Sequence, residues 1–557
     1  ILSVDPKDIA DYAVNGAYFY AKHIAKNSSF HKIFAIGVSG DEKHHKITPL
    51  YVDDRDGYKQ LPDLESFTSF TAVNIDEYYT RYVLAEKTDI EKTTEEILKD
   101  AAELHEYLRT YGSLKDQDKP LVVSGILLAL DDKFFKPDDL LGDETTTDGQ
   151  LIYDAIQRRL KASNVGPDAK RDKLMSEFSI IRTSARLNEV DTKLGKTPLK
   201  FYTEFLKKNV FDNIKYRSSS EDFIGRFYGE FMRYSGGDGQ TLGIVLTPRH
   251  ICDLFCDLLN IQATDIVLDP CCGTAGFLVA AMHHMLEKAG TDQNKRKNIK
   301  KKQLHGFELQ SNMFAIAATN MILRDDGNSN IKCEDFLRQN PAQVQLKGAT
   351  VGMMNPPYSQ GTKSDPSQYE LSFVEHLLDS LTEGARAAVI VPQSSMTGKT
   401  KDEQTFKESI LKHHTLEGVI TCNTDTFYGV GTNPVIAIFT AHEPHPEDKV
   451  CKFIDFRDDG YEVRAHVGLV EGDSAKDKRQ HLLDVWFGRT EAASKFCVES
   501  TVKASDEWLH SFFYFNDEIP TEADFEKAIG DYLTFEFSMI MQNREYLFEG
   551  GDKHEGA

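Results

Sequence analysis

The chain is long, acidic and of ordinary soluble composition, with 557 residues, a formal net charge of −23, and 40% apolar against 27% charged residues. About three or four domains are expected at this length. The acidic balance argues against a protein that grips nucleic acid tightly by itself, and it is compatible with a subunit that relies on a partner. No apolar run approaches the ~20 residues of a membrane-spanning helix, no secretory signal is visible and the eight cysteines are scattered, so we expect a cytoplasmic protein without membrane contact.

The first 245 residues predict a mixed α/β region followed by a mainly helical one. Residues 1–115 combine helical periods with two apolar strands, and no catalytic pattern is visible there. Residues 116–245 are mainly helical, and a glycine-rich break at 235–242 (SGGDGQTL) separates them from the next region. The elements predicted in this half are helices at 9–24 and 90–111, strands at 32–39 (KIFAIGVS) and 46–52 (KITPLYV), and a buried core segment at 121–130 (LVVSGILLAL).

Between residues 246 and 450 the pattern changes to short apolar runs that alternate with helical periods. Buried strands separated by helices indicate a mostly parallel, doubly wound sheet of Rossmann-like type, so the predicted fold class is α/β. Residues 451–557 form a mixed tail, which ends in a helical stretch at 522–546 and is a candidate contact for a partner or DNA. The predicted strands lie at 265–268, 304–307, 349–353, 387–391, 418–421 and 434–440.

The first of these strands leads into a short glycine-containing loop, DIVLDPCCGTAGFL at 265–278. Ligands of open α/β sheets bind outside the carboxyl ends of the strands, and Gly273 and Gly276 let the backbone approach a ligand closely. Asp269 would repel a pyrophosphate and suits a cationic ligand, such as S-adenosylmethionine with its ammonium and sulfonium groups. The alternative is a tight strand–helix turn that binds nothing.

Acidic residues also follow the next two predicted strands. Glu308 ends the strand in LHGFE, where such a residue holds ribose hydroxyls in sheets of this type. Asp335, in IKCEDF at 331–336, would lie on the same rim and could accept a hydrogen bond from an adenine amino group. Each is also compatible with a solvated residue at a strand end.

The sequence NPPY, at 355–358, follows the strand predicted at 349–353 after one intervening residue. Proline fixes φ and restricts the residue before it, so Asn355-Pro356-Pro357-Tyr358 predicts a stiff corner that holds its side chains in set directions. Together with the upstream segment LTPR at 246–249, the motifs arrive in the order found in S-adenosylmethionine-dependent DNA adenine-N6 methyltransferases. The region 224–440 most closely resembles the modification subunit of type I restriction–modification systems and related fused methyltransferases. Cys271 and Ala275 depart from the alanine and glycine usual in that family.

The resemblance implies two sets of site residues and no metal. The residues expected to bind S-adenosylmethionine are Thr247, Pro248, Asp269, Cys272, Gly273, Gly276, Glu308 and Asp335. The residues expected to hold a flipped target adenine are Asn355, Pro356, Pro357 and Tyr358. The resemblance also implies double-stranded DNA as substrate, a sequence-specificity subunit as partner, and a restriction subunit as a second partner.

Three alternatives remain open from the sequence. The same fold methylates glutamine side chains or RNA bases, because their amide or amino nitrogen poses the same chemical problem. A bifunctional restriction–modification enzyme would use residues 1–115 as a nuclease-like remnant. A non-catalytic scaffold would keep the fold alone, although intact Asp269, Asn355 and Tyr358 favour an enzyme.

Overall fold

The computed structural model describes residues 5–27, 32–41, 45–53, 58–61, 63–64, 67–71, 75–79, 83, 94–116, 118–143, 145–163, 165–211, 227, 246–324, 330–362, 364–427, 431–464, 468–472, 474–516 and 521–541. The chain divides into two compact units, Ile1–Phe512 and Phe513–Ala557. The predicted glycine-rich break at 235–242 and the last predicted helical residues, 542–546, lie outside the described residues.

The N-terminal region is a small antiparallel sheet with helices packed against it. Strands β1 (Lys32–Gly40), β2 (His45–Asp53) and β3 (Tyr58–Gln60) pair in that order, which confirms the two predicted strands and adds a third. The helix predicted at 9–24 is instead two helices, Pro6–Asp11 and Ala13–Asn27, because the backbone at Tyr12 is extended.

The helical region is organised around the helix Lys119–Leu130. Its residues from Lys119 to Ala129 are all buried, which confirms the predicted core segment at 121–130. Leu104 and Leu108 belong to the same hydrophobic core, so this core extends to both sides of residue 115. After the two N-terminal helices, the described helices before the large sheet are Ile75–Tyr78, Thr94–Thr110, Lys119–Leu130, Asp148–Ala162, Asp168–Glu177, Ser179–Thr183, Ala185–Asn188 and Pro198–Leu206.

Among the described residues, nine strands form the large sheet in the order β14-β11-β9-β10-β8-β7-β4-β5-β6. The strands are β4 (Val267–Asp269), β5 (Leu304–Phe307), β6 (Asn330–Lys332), β7 (Val351–Met354), β8 (Arg386–Pro392), β9 (Thr415–Cys422), β10 (Pro434–Thr440), β11 (Cys451–Phe456) and β14 (Cys497–Ser500). Strands β12 (Tyr461–Arg464) and β13 (Gly468–Glu471) pair antiparallel in a separate two-stranded sheet.

The centre of this sheet is parallel and wound in two directions. Strands β8, β7, β4, β5 and β6 pair in parallel, whereas β10 runs antiparallel to both β8 and β9. The predicted α/β fold with a mostly parallel, doubly wound sheet is confirmed. The sheet continues past residue 450, because β11 pairs in parallel with β9 and β14 pairs with β11.

Helices connect these strands and position their ends. The helices of this part are Arg249–Leu258, Gly276–Ala289, Gln293–Asn298, Ser311–Ile322, Pro341–Gln345, Glu370–Asp379, Gln393–Thr397, Lys401–His413, Ala475–Trp486 and His510–Phe513. The second unit contains the helix Glu522–Met541. Within the described part of the chain, no helix has the length and apolar character needed to cross a bilayer.

Candidate active site

The polar groups predicted at strand ends line the carboxyl edge of the parallel strands in the order of the sheet. Asn355 directly follows β7, Asp269 ends β4, Glu308 directly follows β5 and Asp335 lies just after β6. Because these strands are neighbours and adjacent strands lie about 4.8 Å apart, the groups follow one another along roughly 14 Å of the edge. The strand order reverses between β7 and β4, which is where open α/β sheets bind ligands.

Two hydrogen bonds hold the loop after β4 in place, one to β5 and one to the helix Ser311–Ile322. The amide N–H of Cys272 donates to the carbonyl of Phe307 at 2.9 Å, and Asn320 Nδ2 donates to the carbonyl of Thr274 at 2.8 Å. Gly273 has a φ of +52°, and a Cβ there would meet nothing within 4 Å, so its backbone is open to a ligand. Gly276 starts the following helix, and a Cβ there would meet the Sγ of Cys252 at 3.4 Å.

Asp269 is fully buried, but its carboxylate is only partly satisfied. One oxygen accepts from the N–H of Cys271 at 3.2 Å. Among the described residues, no donor reaches the other oxygen, Oδ2. Burial, reinforced by the negative charge of Glu308, raises the pKa of Asp269 well above its usual value. A cationic ligand at Oδ2 would remove this penalty, so the site fits the ammonium group of an amino-acid ligand.

Glu308 links the loop after β4 to the end of β5. Its Oε2 accepts from the N–H of Gly273 at 2.9 Å, and its Oε1 accepts from the N–H of Gln310 at 2.8 Å. Burial raises the pKa of Glu308, although these backbone donors oppose the rise. A carboxylate has about four lone-pair sites, so both oxygens can still accept from ligand hydroxyls.

Asp335 completes the acidic edge in a more open position. Its Oδ1 caps a short helical turn by accepting from the N–H of Leu337 at 3.1 Å, and Arg338 Nε lies 3.2 Å from its Oδ2. Burial raises the pKa of the Cys271 thiol, and the negative charges of Asp269, Glu308 and Asp335 add to this effect. Asp269 and Glu308 each accept from a backbone N–H of the loop that contains Cys271, and Asp335 lies along the same edge of the sheet.

Asn355 is joined to the segment that precedes the sheet. Its Nδ2 donates to Thr247 Oγ1 at 3.0 Å, across 108 residues of sequence. Pro248 is the N-cap of the helix Arg249–Leu258, and its carbonyl accepts from the N–H of Ile251 at 3.0 Å. Thr247 therefore directly precedes a fixed helix start.

The corner after Asn355 is fixed by three further contacts. The Tyr358 hydroxyl donates to the carbonyl of Ile390 at 3.3 Å, and its ring meets Phe427 edge-on with centroids 6.0 Å apart. Ser359 has a φ of +57°, and its N–H donates to Glu370 Oε1 at 2.8 Å. Pro356 is buried and Pro357 is half-buried. The contacts of Asn355 before the prolines and of Tyr358 and Ser359 after them hold both ends of the corner.

Sequence reasoning did not identify Phe427 or Glu370. Phe427 follows β9, whose carboxyl end lies at the same edge as that of β8, so the rule that led to Asp269 could have indicated it. Glu370 begins the helix Glu370–Asp379, and no motif marks it. No local pattern in the sequence indicates its contact with Ser359.

Comparisons with known proteins show which family the chain resembles in sequence. A sequence model of the family described as N-6 DNA Methylase matches residues 219–518. The protein RM.BcgI of Heyndrickxia coagulans, named a type II restriction enzyme and methyltransferase, is 45% identical over 550 residues, which cover 98% of this chain and 86% of that protein.

Two more distant likenesses point the same way. The type I restriction enzyme StySJI methylase subunit of Salmonella typhimurium is 26% identical over 259 residues, which cover 43% of this chain and 48% of that subunit. A chain in a solved structure of a type I R-M system has a TM-score of 0.54 at 16% identity, covering 83% of this chain and 100% of that one. The structural likeness shows the fold.

Proposed function

This chain belongs to the N-6 DNA methylase family and is a DNA adenine-N6 methyltransferase, and from this premise we propose that Asn355 holds the amino group of a flipped adenine beside a bound S-adenosylmethionine. The observation that carries the proposal is the strand order β7-β4-β5-β6. It puts the corner Asn355-Pro356-Pro357-Tyr358 next to Asp269, with Glu308 and Asp335 further along the same edge.

The acidic edge fits S-adenosylmethionine along its length. Asp269 would accept the ammonium group at its free oxygen, while Thr247, Pro248, Cys272 and Gly273 enclose the methionine portion and Gly276 starts the helix behind it. Glu308 would accept the ribose hydroxyls and Asp335 the adenine amino group of the cofactor. When bound, S-adenosylmethionine would supply an electrophilic methyl carbon. The amino nitrogen of the target adenine would bond to this carbon in line as the carbon–sulfur bond breaks, the thioether S-adenosylhomocysteine would be the leaving group, and the amino group would lose one proton.

The chain's own task is to present that nitrogen. An adenine in a duplex is paired and stacked, so it must be flipped out before it can react. Its amino lone pair is delocalised into the ring, and two acceptors aimed at the two N–H bonds draw the nitrogen toward sp³ geometry. We assign these acceptors to the Asn355 side-chain oxygen and the Pro356 carbonyl. The two prolines hold both in place before the base arrives, so little reorganisation is needed during the reaction.

Aromatic rings form the walls for the flipped base. We assign base stacking to Tyr358, whose ring is held by its hydroxyl contact with Ile390 and its edge contact with Phe427. Stacking of one base on an aromatic side chain contributes about 1–3 kcal/mol. Phe427 would support Tyr358 through this edge contact.

The proposed partners are double-stranded DNA, a sequence-specificity subunit and a restriction subunit, in the cytoplasm.

The second unit offers a surface for a protein partner. Phe525, Ile529, Leu533 and Phe537 are exposed at four-residue spacing on the helix Glu522–Met541 and so share one face. Acidic residues outnumber basic ones on this helix, so a partner helix with basic flanks fits it best. We propose that the specificity subunit docks on this face, so Ile529→Asp should abolish co-purification of that subunit with the chain.

The test of the proposed reaction is methyl transfer from tritiated S-adenosylmethionine to genomic DNA that lacks adenine methylation. The chain is assayed alone and after co-expression with its neighbouring genes, and the product is digested to nucleosides. Label in N6-methyldeoxyadenosine is the expected result. Parallel reactions offer RNA or protein as the methyl acceptor, and label in either of these with none in DNA would instead favour RNA or glutamine methylation.

A second function, DNA cleavage by the same chain, is favoured by one observation. RM.BcgI is named both a restriction enzyme and a methyltransferase, and its likeness covers 98% of this chain, including nearly all of residues 1–115. Magnesium-dependent cleavage of plasmid DNA, abolished by a chelator, would support this function. Intact plasmid in a preparation that transfers methyl groups would rule it out for this chain.

A further inference from the structure

We propose that Thr247 is a positioning residue for the target base, acting through Asn355, rather than only a wall of the cofactor pocket. The inference rests on the proposed function, because it takes the Asn355 oxygen as the acceptor for the adenine amino group. Its basis is the hydrogen bond that Asn355 Nδ2 donates to Thr247 Oγ1 at 3.0 Å.

The two ends of an amide are chemically different. The oxygen only accepts hydrogen bonds and the NH₂ group only donates them. The adenine amino group is itself a donor, so the productive orientation of Asn355 turns its oxygen to the base and its nitrogen away. Thr247 stands on the nitrogen side and supplies an acceptor there. With base and threonine both present, one orientation of the amide satisfies both contacts.

Loss of the threonine hydroxyl would act on the rate rather than on cofactor binding. An apolar side chain at position 247 would remove an acceptor from the nitrogen side of a half-buried amide, so the orientation with the oxygen toward the base would be less strongly favoured. The base would still enter the pocket, but its amino group would meet a correctly turned oxygen for a smaller fraction of the time. The predicted signature is a lower turnover at saturating S-adenosylmethionine.

The position of Thr247 in the chain makes it suited to this role. The helix Arg249–Leu258 has Pro248 as its N-cap and is held in place because Ile251 and Phe255 are buried in the hydrophobic core. Thr247 therefore projects from a fixed helix start, whereas Asn355 projects from the end of β7. The bond between them fixes the catalytic amide from a second, independent element.

The test compares Thr247→Val, which keeps the shape of threonine, with Thr247→Ser, which keeps the hydroxyl. Each variant is assayed for methyl transfer to unmethylated genomic DNA at saturating S-adenosylmethionine, and cofactor affinity is measured by calorimetry. Thr247→Val should transfer methyl groups roughly tenfold more slowly, with cofactor affinity within about threefold of the wild-type value. Thr247→Ser should stay within about threefold of the wild-type rate.

The matched control is Thr382→Val. Thr382 donates through its hydroxyl to the carbonyl of Ala349 at 3.0 Å, before β8 begins and thus at the opposite edge of the sheet, so this variant should keep the wild-type rate. The inference is overturned if Thr247→Val matches wild type, if it weakens cofactor binding without slowing turnover, if Thr247→Ser is as slow as Thr247→Val, or if Thr382→Val is equally slow. Asn355→Ala in the same assay separates the two claims, because full activity of that variant would overturn the proposed function itself.

Discussion

Strand β4 has a buried aspartate near each of its ends, and the two carboxylates differ in how many hydrogen-bond donors reach them. Asp265, before the strand, accepts from Thr350 Oγ1 at 2.8 Å, from the N–H of Gln262 at 2.6 Å and from Arg386 Nη2 at 2.6 Å. Asp269, at the other end, has an oxygen that no described donor reaches. Burial alone therefore does not distinguish a structural carboxylate from a ligand-binding one. The number of carboxylate oxygens that lack a hydrogen-bond donor does distinguish them.

The largest expected effect comes from exchanging each aspartate for asparagine. Asp269→Asn should weaken S-adenosylmethionine binding on the order of 100-fold, because a charge-assisted hydrogen bond is lost. It should not lower the melting temperature, since a buried, incompletely satisfied charge is removed. Calorimetry and thermal melting of the purified protein measure both quantities.

Asp265→Asn is the matched control and should behave in the opposite way. Loss of the ion pair with Arg386 should lower the melting temperature by roughly 2 to 5 °C, while cofactor affinity stays near the wild-type value. The contrast between the two ends of β4 fails if Asp265→Asn is the variant that loses the cofactor.

The pH dependence of cofactor binding should follow the carboxylates with raised pKa. The pKa values of Asp269 and Glu308 lie above their usual 3.8 and 4.5. In the cofactor-free protein their protonated forms contribute stability below the usual values, and this contribution is lost as pH rises through the raised values. Binding of the cation needs ionised Asp269, so affinity should rise with pH over the same window. Calorimetric titrations with the cofactor at several pH values should show that affinity rises with pH in Asp265→Asn. In Asp269→Asn the affinity should rise less steeply with pH.

The same reasoning applies to the two parts of Tyr358. Its ring is the proposed stacking surface, so Tyr358→Ala should weaken binding to the flipped base by roughly 5- to 100-fold. Its hydroxyl already has a partner in the Ile390 carbonyl at 3.3 Å, so Tyr358→Phe should change DNA affinity only a few-fold. Titration of duplex DNA monitored by fluorescence anisotropy compares the two. Equal losses would mean that the hydroxyl, not the ring, contacts the DNA.

The smallest expected effect concerns the loop after β4. Ala275 has a φ of +68°, a left-handed conformation that costs a residue with a Cβ about 1–2 kcal/mol. Ala275→Gly relieves this strain and loses one methyl group, so the free energy of unfolding should hardly change. Ala280→Gly, inside the helix Gly276–Ala289, should destabilise the protein by about 1 to 2 kcal/mol more. Identical losses in denaturant unfolding would show that Ala275 is unstrained.

Much of the sheet could be predicted because buried strands and strand-end residues are local features. The strands at 304–307 and 434–440 have the predicted bounds, and Asp269 and Asn355 stand at the predicted ends. The direction of β10 was not predicted, although the described residues between β9 and β10 contain no helix, as an antiparallel pair allows. Strands β11 and β14 fell in the predicted tail because their pairing is with distant strands.

Contacts between distant segments were beyond the sequence. Thr247 and Asn355 are 108 residues apart, and nothing in either motif indicates that their side chains meet. The same holds for Tyr358 with Phe427 and for Ser359 with Glu370. Such pairs are set by the sheet order, which depends on the packing of the whole unit rather than on any one segment.

The most direct test of the account is the nucleoside composition of DNA from cells that express the chain with its neighbouring genes. Wild-type protein should produce N6-methyldeoxyadenosine, and Asn355→Ala should reduce it to the background of cells without the gene. Asn340→Ala, which removes an asparagine that caps the helix Pro341–Gln345, should leave it at the wild-type level. An unchanged amount of N6-methyldeoxyadenosine with Asn355→Ala would contradict the claim that this amide holds the target base.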